Sequence, residues 1–103
     1  MPEVTTAYVS GSSTLKSIFI DGRPINASLY DWKYDIVISV YYSADVTDIY
    51  GNVLRDESQS REDYKVLSEW IKKEFADHSI ESRSGWSTSF QAWVEWRIAK
   101  ESD

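Results

Sequence analysis

The chain has 103 residues, a net charge of −6, 42% apolar residues and no cysteine, which is the composition of a single folded domain. Disulfides and thiolate-bound zinc are excluded, and the lack of any basic run argues against direct binding to nucleic acid or to an anionic membrane. Because no apolar run approaches a membrane-helix length of about 20 residues, and no signal peptide is visible, we expect a cytoplasmic protein.

The first residues are polar and rich in serine and threonine. We therefore expect residues 1–14 to be a flexible lead-in to one domain spanning 1–103. Within that lead-in, Thr6 to Val9 fits a short edge strand.

A hairpin follows the lead-in. Residues 15–20 have strand composition, and Asp21-Gly22 directly after them is a strong two-residue turn signal. Residues 23–29 then return as the second arm, in which Pro24 predicts an edge position or a bulge.

The stretch 34–43 predicts the central strand of a sheet, because it is rich in β-branched and aromatic residues and contains neither glycine nor proline. Its side chains alternate between an apolar face and a mixed face. The apolar face consists of Ile36, Ile38, Val40 and Tyr42.

An acidic segment follows this strand. Residues 45–63 hold six carboxylates against two arginines, a local charge of −4. The Gly51-Asn52 pair inside it, flanked by apolar residues, predicts a small hairpin over 49–54. The segment is either a solvated loop or a surface that steers a basic partner. Its candidate binding residues are Asp45, Asp48, Asp56 and Glu57.

One amphipathic helix is predicted over residues 60–76. Apolar residues recur at helical spacing from Tyr64 to Phe75, and Ser60 is a candidate N-cap ahead of two acidic residues. Glu69 and Lys73 are spaced for an ion pair.

The last segment predicts two more strands. Residues 79–84 form a short polar candidate ended by Gly85, and residues 90–98 alternate without a fault. A helix over 87–99 is the alternative, but it places Arg97 on the apolar stripe, so the strand is favoured. The chain is therefore α+β: a mostly antiparallel sheet of about four to six strands with one helix on one face.

No residue pattern predicts catalysis, a metal site or a cofactor. The lone His78 lacks a nucleophile elbow, the carboxylates have no calcium-loop spacing, and no glycine-rich loop opens the helix. A carboxylate-dependent metal enzyme stays a minor alternative.

Aromatic residues make up 15% of the chain, more than a small core requires. Trp32 lies in a polar connection, Trp86 in a turn, and Trp93 faces away from the core side of its strand. These rings either cover the second face of the sheet or anchor an interface with another protein.

These observations favour a small acidic, non-enzymatic protein-binding module. We expect it to inhibit a basic partner protein by occluding it, as immunity proteins, antitoxins and phage anti-defence proteins do. The alternative is a structural or assembly subunit, such as a virion component or a homo-oligomer, that pairs through the edge strand 15–20 or 90–98.

The assignment of the two faces of the last strand can be tested with two tryptophan variants. Trp96→Ala should lower the free energy of unfolding by about 3–5 kcal/mol, because it truncates a core ring. Trp93→Ala should leave the fold intact. Equal losses in the thermal melts of both variants would contradict the assignment.

Overall fold

The computed structural model describes residues 2–100 and shows one helix packed on an antiparallel sheet. The predicted α+β class is confirmed. In chain order the elements are β1 (Val4–Tyr8), β2 (Leu15–Ile20), β3 (Arg23–Asp31), β4 (Asp35–Ser43), β5 (Val46–Thr47), β6 (Val53–Arg55), α1 (Ser58–Glu74), β7 (Ile80–Trp86) and β8 (Gln91–Ala99). Six of these strands form the main sheet in the order β1-β2-β3-β4-β8-β7, and β5 and β6 form a separate hairpin.

The predicted flexible lead-in is wrong for most of its length, although Met1 lies outside the described residues. Strand β1 pairs with β2 over its whole length, from Val4 opposite Ile20 to Tyr8 opposite Lys16. The loop that joins the two strands is also held, because the Ser12 hydroxyl accepts hydrogen bonds from the backbone of the residues that follow it. Local polarity misled the prediction, since an edge strand exposes one side and tolerates polar residues.

The hairpin at Asp21-Gly22 forms as predicted, and the register between β2 and β3 shifts opposite the segment that contains Pro24. The short edge strand predicted within residues 6–9 is confirmed as β1, but the edge positions predicted for residues 15–20 and 90–98 are wrong. Strand β2 lies between β1 and β3, and β8 lies between β4 and β7, so the true edges are β1 and β7.

Strand β4 lies inside the sheet and positions the core. It pairs with β8 along nine residues, from Asp35 opposite Ala99 to Ser43 opposite Gln91. Its apolar face, with Ile38 fully buried, meets Leu67 and Ile71 of α1. The fully alternating β8 supplies the neighbouring buried residues, including Trp96, which stacks on Tyr64 of the helix.

Helix α1 begins two residues earlier and ends two residues earlier than predicted. Glu57, not Ser60, occupies the N-cap, and the first helical amide, that of Ser58, donates to the Asp56 carboxylate at 2.9 Å. This hydrogen bond holds the pKa of Asp56 below its ordinary value. Ser60 instead accepts a hydrogen bond from the backbone amide of Ser43 at 2.9 Å and so ties the helix to the end of β4.

A second tie joins the helix to the β2–β3 hairpin. Asp63 is buried, with 7% of its surface exposed, and forms a two-bond ion pair with Arg23 at 2.7 and 3.0 Å. Gln59 donates a third hydrogen bond to the same carboxylate. The carboxylate of Asp63 raises the pKa of Arg23. A buried carboxylate on the inner side of a helix is thereby satisfied rather than left as a cost.

The face of the sheet opposite the helix is partly covered by aromatic and charged side chains. Trp93 lies there, as predicted, but it is half-buried because its ring packs over Gly85 on the adjacent strand. The prediction that Gly85 ends this strand is therefore wrong. Gly85 lies within β7, where the lack of a side chain makes room for the ring.

The effect of Gly85→Ala on the free energy of unfolding should depend on whether the Trp93 ring is present. A Cβ at position 85 would lie 2.8 Å from Cζ2 of Trp93, so Gly85→Ala should lower the free energy of unfolding by about 1–3 kcal/mol through overpacking. In a Trp93→Ala background the same change should be neutral or slightly stabilising, because alanine restricts the unfolded chain.

Denaturant titrations of the two single variants and the double variant measure this coupling. We expect a coupling energy of about 1 kcal/mol or more. Additive effects of the two substitutions would contradict the packing of the ring over Gly85.

Candidate protein-interaction site

The chain between β4 and α1 forms a projecting arm, defined here as residues 44–57, which contains the β5–β6 hairpin. Its base is clamped at one carboxylate. Asp45 accepts hydrogen bonds from the backbone amide of Glu57 at 2.8 Å and from the Arg61 guanidinium at 3.1 Å. Arg61 also donates to the backbone carbonyl of Ser43 at 2.8 Å. Both ends of the arm are thus fixed to the end of β4 and the start of α1.

The tip of the arm, defined here as residues 48–52, is held by a second carboxylate. Asp48 accepts hydrogen bonds from the backbone amides of Tyr50 and Asn52, each at 2.9 Å, and from the Asn52 side-chain amide at 3.0 Å. Gly51 has a φ of 85°, which the turn requires and which glycine adopts without strain. The hydrogen bonds from Asn52, followed by those from the tip backbone, hold the pKa of Asp48 below its ordinary value.

This rigid tip displays large apolar side chains to solvent. Ile49 is 90% exposed and Tyr50 is 83% exposed, the highest values among the large apolar residues of the described chain. Val53 and Leu54 on the returning strand β6 are also mostly exposed. Because Asp48 bonds the amides of Tyr50 and Asn52, the backbone that carries Ile49 and Tyr50 is held in the turn while their side chains face solvent.

A second group of apolar residues lies beside the base of the arm, in the turn between β7 and β8, defined here as residues 86–90. Trp86 and Phe90 are both exposed there. The Thr88 hydroxyl accepts from the backbone amides of Phe90 and Gln91 and fixes the turn. The amide of Ala44 donates to the carbonyl of Phe90 at 2.9 Å, which joins this turn to the first residue of the arm. The arm and the turn together form the arm end of the sheet.

The four predicted acidic residues all lie in the arm, but each has a structural partner. Asp45 clamps the base, Asp48 closes the tip, Asp56 accepts the Ser58 amide just ahead of the helix, and Glu57 contacts Arg55. Their side chains are therefore positioned rather than freely solvated. Asp48 and Asp56 bond to uncharged amide groups, so the arm keeps its negative charge.

The three predicted tryptophans do not share a surface. Trp86 belongs to the arm end. Trp93 lies near the same end, two residues into β8 and opposite Tyr41, but on the helix-free face. Trp32 follows β3 at the opposite end of the sheet, where it stacks on Tyr30 with ring centroids 5.3 Å apart. Since β4 alone spans about 27 Å at 3.4 Å per residue, Trp32 and Trp86 cannot contact the same small epitope.

Sequence reasoning missed the most exposed apolar residues of the arm. They were assigned only to a small hairpin, because apolar pairs next to a turn usually return to the core. The signal was Asp48, since an aspartate that opens a turn bonds the amides after it and directs the next two residues outward. The missed residues of the arm are Ile49, Tyr50, Val53 and Leu54. Phe90, predicted as the first residue of the last strand, instead precedes β8 and is exposed.

The metal-enzyme alternative requires a cluster of ligating side chains within residues 2–100. No three histidine, cysteine, aspartate or glutamate side chains of that range lie together as a metal site would need. His78 packs edge-on against Phe75 at the end of the helix, with ring centroids 5.7 Å apart. Over the same residues, no helix has the length and apolar character needed to cross a membrane.

Comparison with protein-family models, curated proteins and solved structures finds no match to this chain.

The carboxylate at the tip predicts a pH-dependent arm. Because the pKa of Asp48 is lowered in the folded state, its stabilising effect is fully present above the ordinary aspartate value of about 3.9 and is lost as the pH falls through the folded pKa. A carboxyl-detected NMR titration should place the midpoint of Asp48 below about 3.9. The amide signals of Tyr50 and Asn52 should follow the same curve.

At neutral pH, Asp48→Ala should speed hydrogen exchange at the amides of Tyr50 and Asn52 and leave the core protected. Asp77→Ala, a change of the same type at the exposed end of the helix, serves as the control. Unchanged exchange at the tip in the Asp48 variant would show that the carboxylate does not hold it.

Proposed function

We propose that this chain is a small acidic, non-enzymatic protein-binding module that occludes and inhibits a basic partner protein, and that it engages this partner with the arm. Such a role is that of immunity proteins, antitoxins and phage anti-defence proteins. The observation that carries the proposal is the tip, where Ile49 and Tyr50 are almost fully exposed on a backbone fixed by Asp48.

The energetics of the tip support this function. Burying exposed apolar surface yields about 25 cal/mol per Å², and a tyrosine and an isoleucine side by side can fill one pocket of a partner. A flexible loop would lose much of this gain in being ordered on binding. The hydrogen bonds to Asp48 order the tip beforehand, so that cost is small.

The charge of the arm supports a basic partner. Hydrogen bonding to amides lowers the pKa of Asp48 and of Asp56, so both stay ionised at neutral pH. An acidic surface around an apolar anchor accelerates encounter with a basic protein and orients it. The anchor then decides the lifetime of the complex, and the charge decides its rate of formation.

The proposal is tested with two matched variants of the full chain. Ile49→Ser/Tyr50→Ser removes the anchor, and Tyr34→Ser removes a tyrosine that is 71% exposed at the opposite end of the sheet. A partner captured from the source cell with the wild-type chain should bind the Tyr34 variant equally. It should bind the arm variant about 30-fold more weakly, as expected for loss of a 2 kcal/mol hot spot.

Two further outcomes decide the electrostatic and inhibitory parts of the proposal. Raising the salt concentration should slow association without changing dissociation by a similar factor. The captured partner's own activity should fall when the wild-type chain is added and not when the arm variant is added. Equal binding by the two variants would refute the role of the arm.

A further inference from the structure

The two edges of the sheet differ in how they are protected from pairing with another strand. One edge strand, β7, carries Glu81 and Arg83, and charged side chains on an edge strand resist pairing. On β1 the sequence is Val-Thr-Thr-Ala-Tyr, with no charge, proline or glycine. Within the part of the chain that the structure describes, β1 pairs only with β2. Its outer side is therefore an unprotected template for a further strand.

The backbone groups on the outer side of β1 can be assigned from its bonds to β2. The carbonyl of Glu3 accepts from Asp21, and the amide of Val9 donates to Leu15, so these odd-numbered residues direct their backbone groups toward β2. In an antiparallel ladder the direction alternates. The amides and carbonyls of Val4, Thr6 and Tyr8 consequently point away from the sheet.

We propose that β1 pairs with β1 of a second copy of this chain, antiparallel about a two-fold axis at Thr6, so that two sheets join into one. This inference is independent of the proposed function, because β1 and the arm are different surfaces. The register that uses all five residues places Thr6 opposite Thr6 and Val4 opposite Tyr8 of the second copy. All of these are residues whose backbone groups point outward, so about six inter-strand hydrogen bonds form.

The side chains in this register are self-complementary. Val4 meets the ring of Tyr8 twice, an aliphatic–aromatic pair, and the two Thr6 hydroxyls meet at the axis; both types of cross-strand pair are favourable. Since the strand carries no charge, pairing brings no like charges opposite each other.

A groove beside β1 provides apolar surface for the second copy. It lies between β1 and the outer side of α1, has a volume of about 440 Å³ and includes Val4, Val66 and Trp70 in its lining. The ring of Tyr8 from the second copy, opposite Val4 on the same face, would lie at the mouth of this groove. The backbone ladder and the apolar contact thus act at the same place.

The geometry also keeps the acidic arms apart. The arm begins where β4 ends, and β1 starts at that same end of the sheet, since Val4 pairs with Ile20 beside the Asp21-Gly22 turn. The two-fold axis reverses the second copy, so the two arms project from opposite ends. Because the acidic arms are far apart, the electrostatic repulsion between two chains of charge −6 is reduced.

The register is tested by single cysteines, because the chain has no cysteine of its own. In Thr6→Cys the two Cα atoms at the axis would lie about 5.5 Å apart, within the range of a disulfide. In the control Thr5→Cys, residue 5 lies opposite residue 7, so the two cysteines are offset by more than the ~7 Å limit. Mild oxidation should cross-link the first variant and leave the second without a disulfide.

Sedimentation of the wild-type chain from micromolar to millimolar concentration should show a weak monomer–dimer equilibrium, as expected for a small interface. Thr6→Lys should weaken dimerisation by about tenfold or more, because it places two like charges at the axis. Ser82→Lys, which adds the same charge to the β7 edge, should not. A wild-type monomer at every concentration, or equal cross-linking of both cysteine variants, would overturn the proposal. A monomer that binds an extended peptide of another sequence at β1 would overturn it too.

Discussion

One helix has to cover a sheet of six strands, and most features of this fold follow from that mismatch. A helix is about 10–12 Å wide and strands lie about 4.8 Å apart, so α1 covers the middle of the sheet over β3 and β4 and leaves the margins open. Aromatic side chains extend the cover, as where Tyr64 of the helix stacks on Trp96 of β8. On the far face, Trp93 over Gly85 does the same without a helix. At the β1 margin no such side chain among the described residues fills the space between the strand and the helix, and a groove remains there.

The parts of the fold that depend on neighbouring residues could be predicted from the sequence. The alternation in β4 and β8, the helical spacing in α1 and the turn at Asp21-Gly22 are local signals. The lateral order of strands is not local: Asp35 pairs with Ala99, and no periodicity within either strand encodes that choice. For this reason β2 and β8 were assigned to edges although each has a neighbour on both sides. Gly85 was misassigned similarly, because the ring that it accommodates comes from another strand.

The candidate site shows a different limit. Sequence reasoning found the acidic segment and Trp86, but it treated carboxylates as charge and not as hydrogen-bond acceptors. In the structure the Asp48 carboxylate accepts the hydrogen bonds that form the tip, in addition to contributing negative charge. Asp63, on the same acidic stretch, is buried against Arg23 and contributes none to the surface. Net charge was thus predictable, whereas the division between structural and surface carboxylates required the three-dimensional partners. Ile49 and Tyr50 were missed for the complementary reason, since hydropathy alone assigns such residues to a core.

The arm and β1 lie on separate parts of the molecule, and their combination has a geometric consequence. In the paired dimer the two arms point in opposite directions along the joined sheet, and β4 alone separates the ends of one copy by about 27 Å. One small partner could not contact both arms, so pairing would not increase its affinity through a second contact. Two partners could bind at once, one at each end. Dimerisation would then set the number of partners held per assembly, while the tip of each arm, fixed by Asp48, would set the affinity for each one.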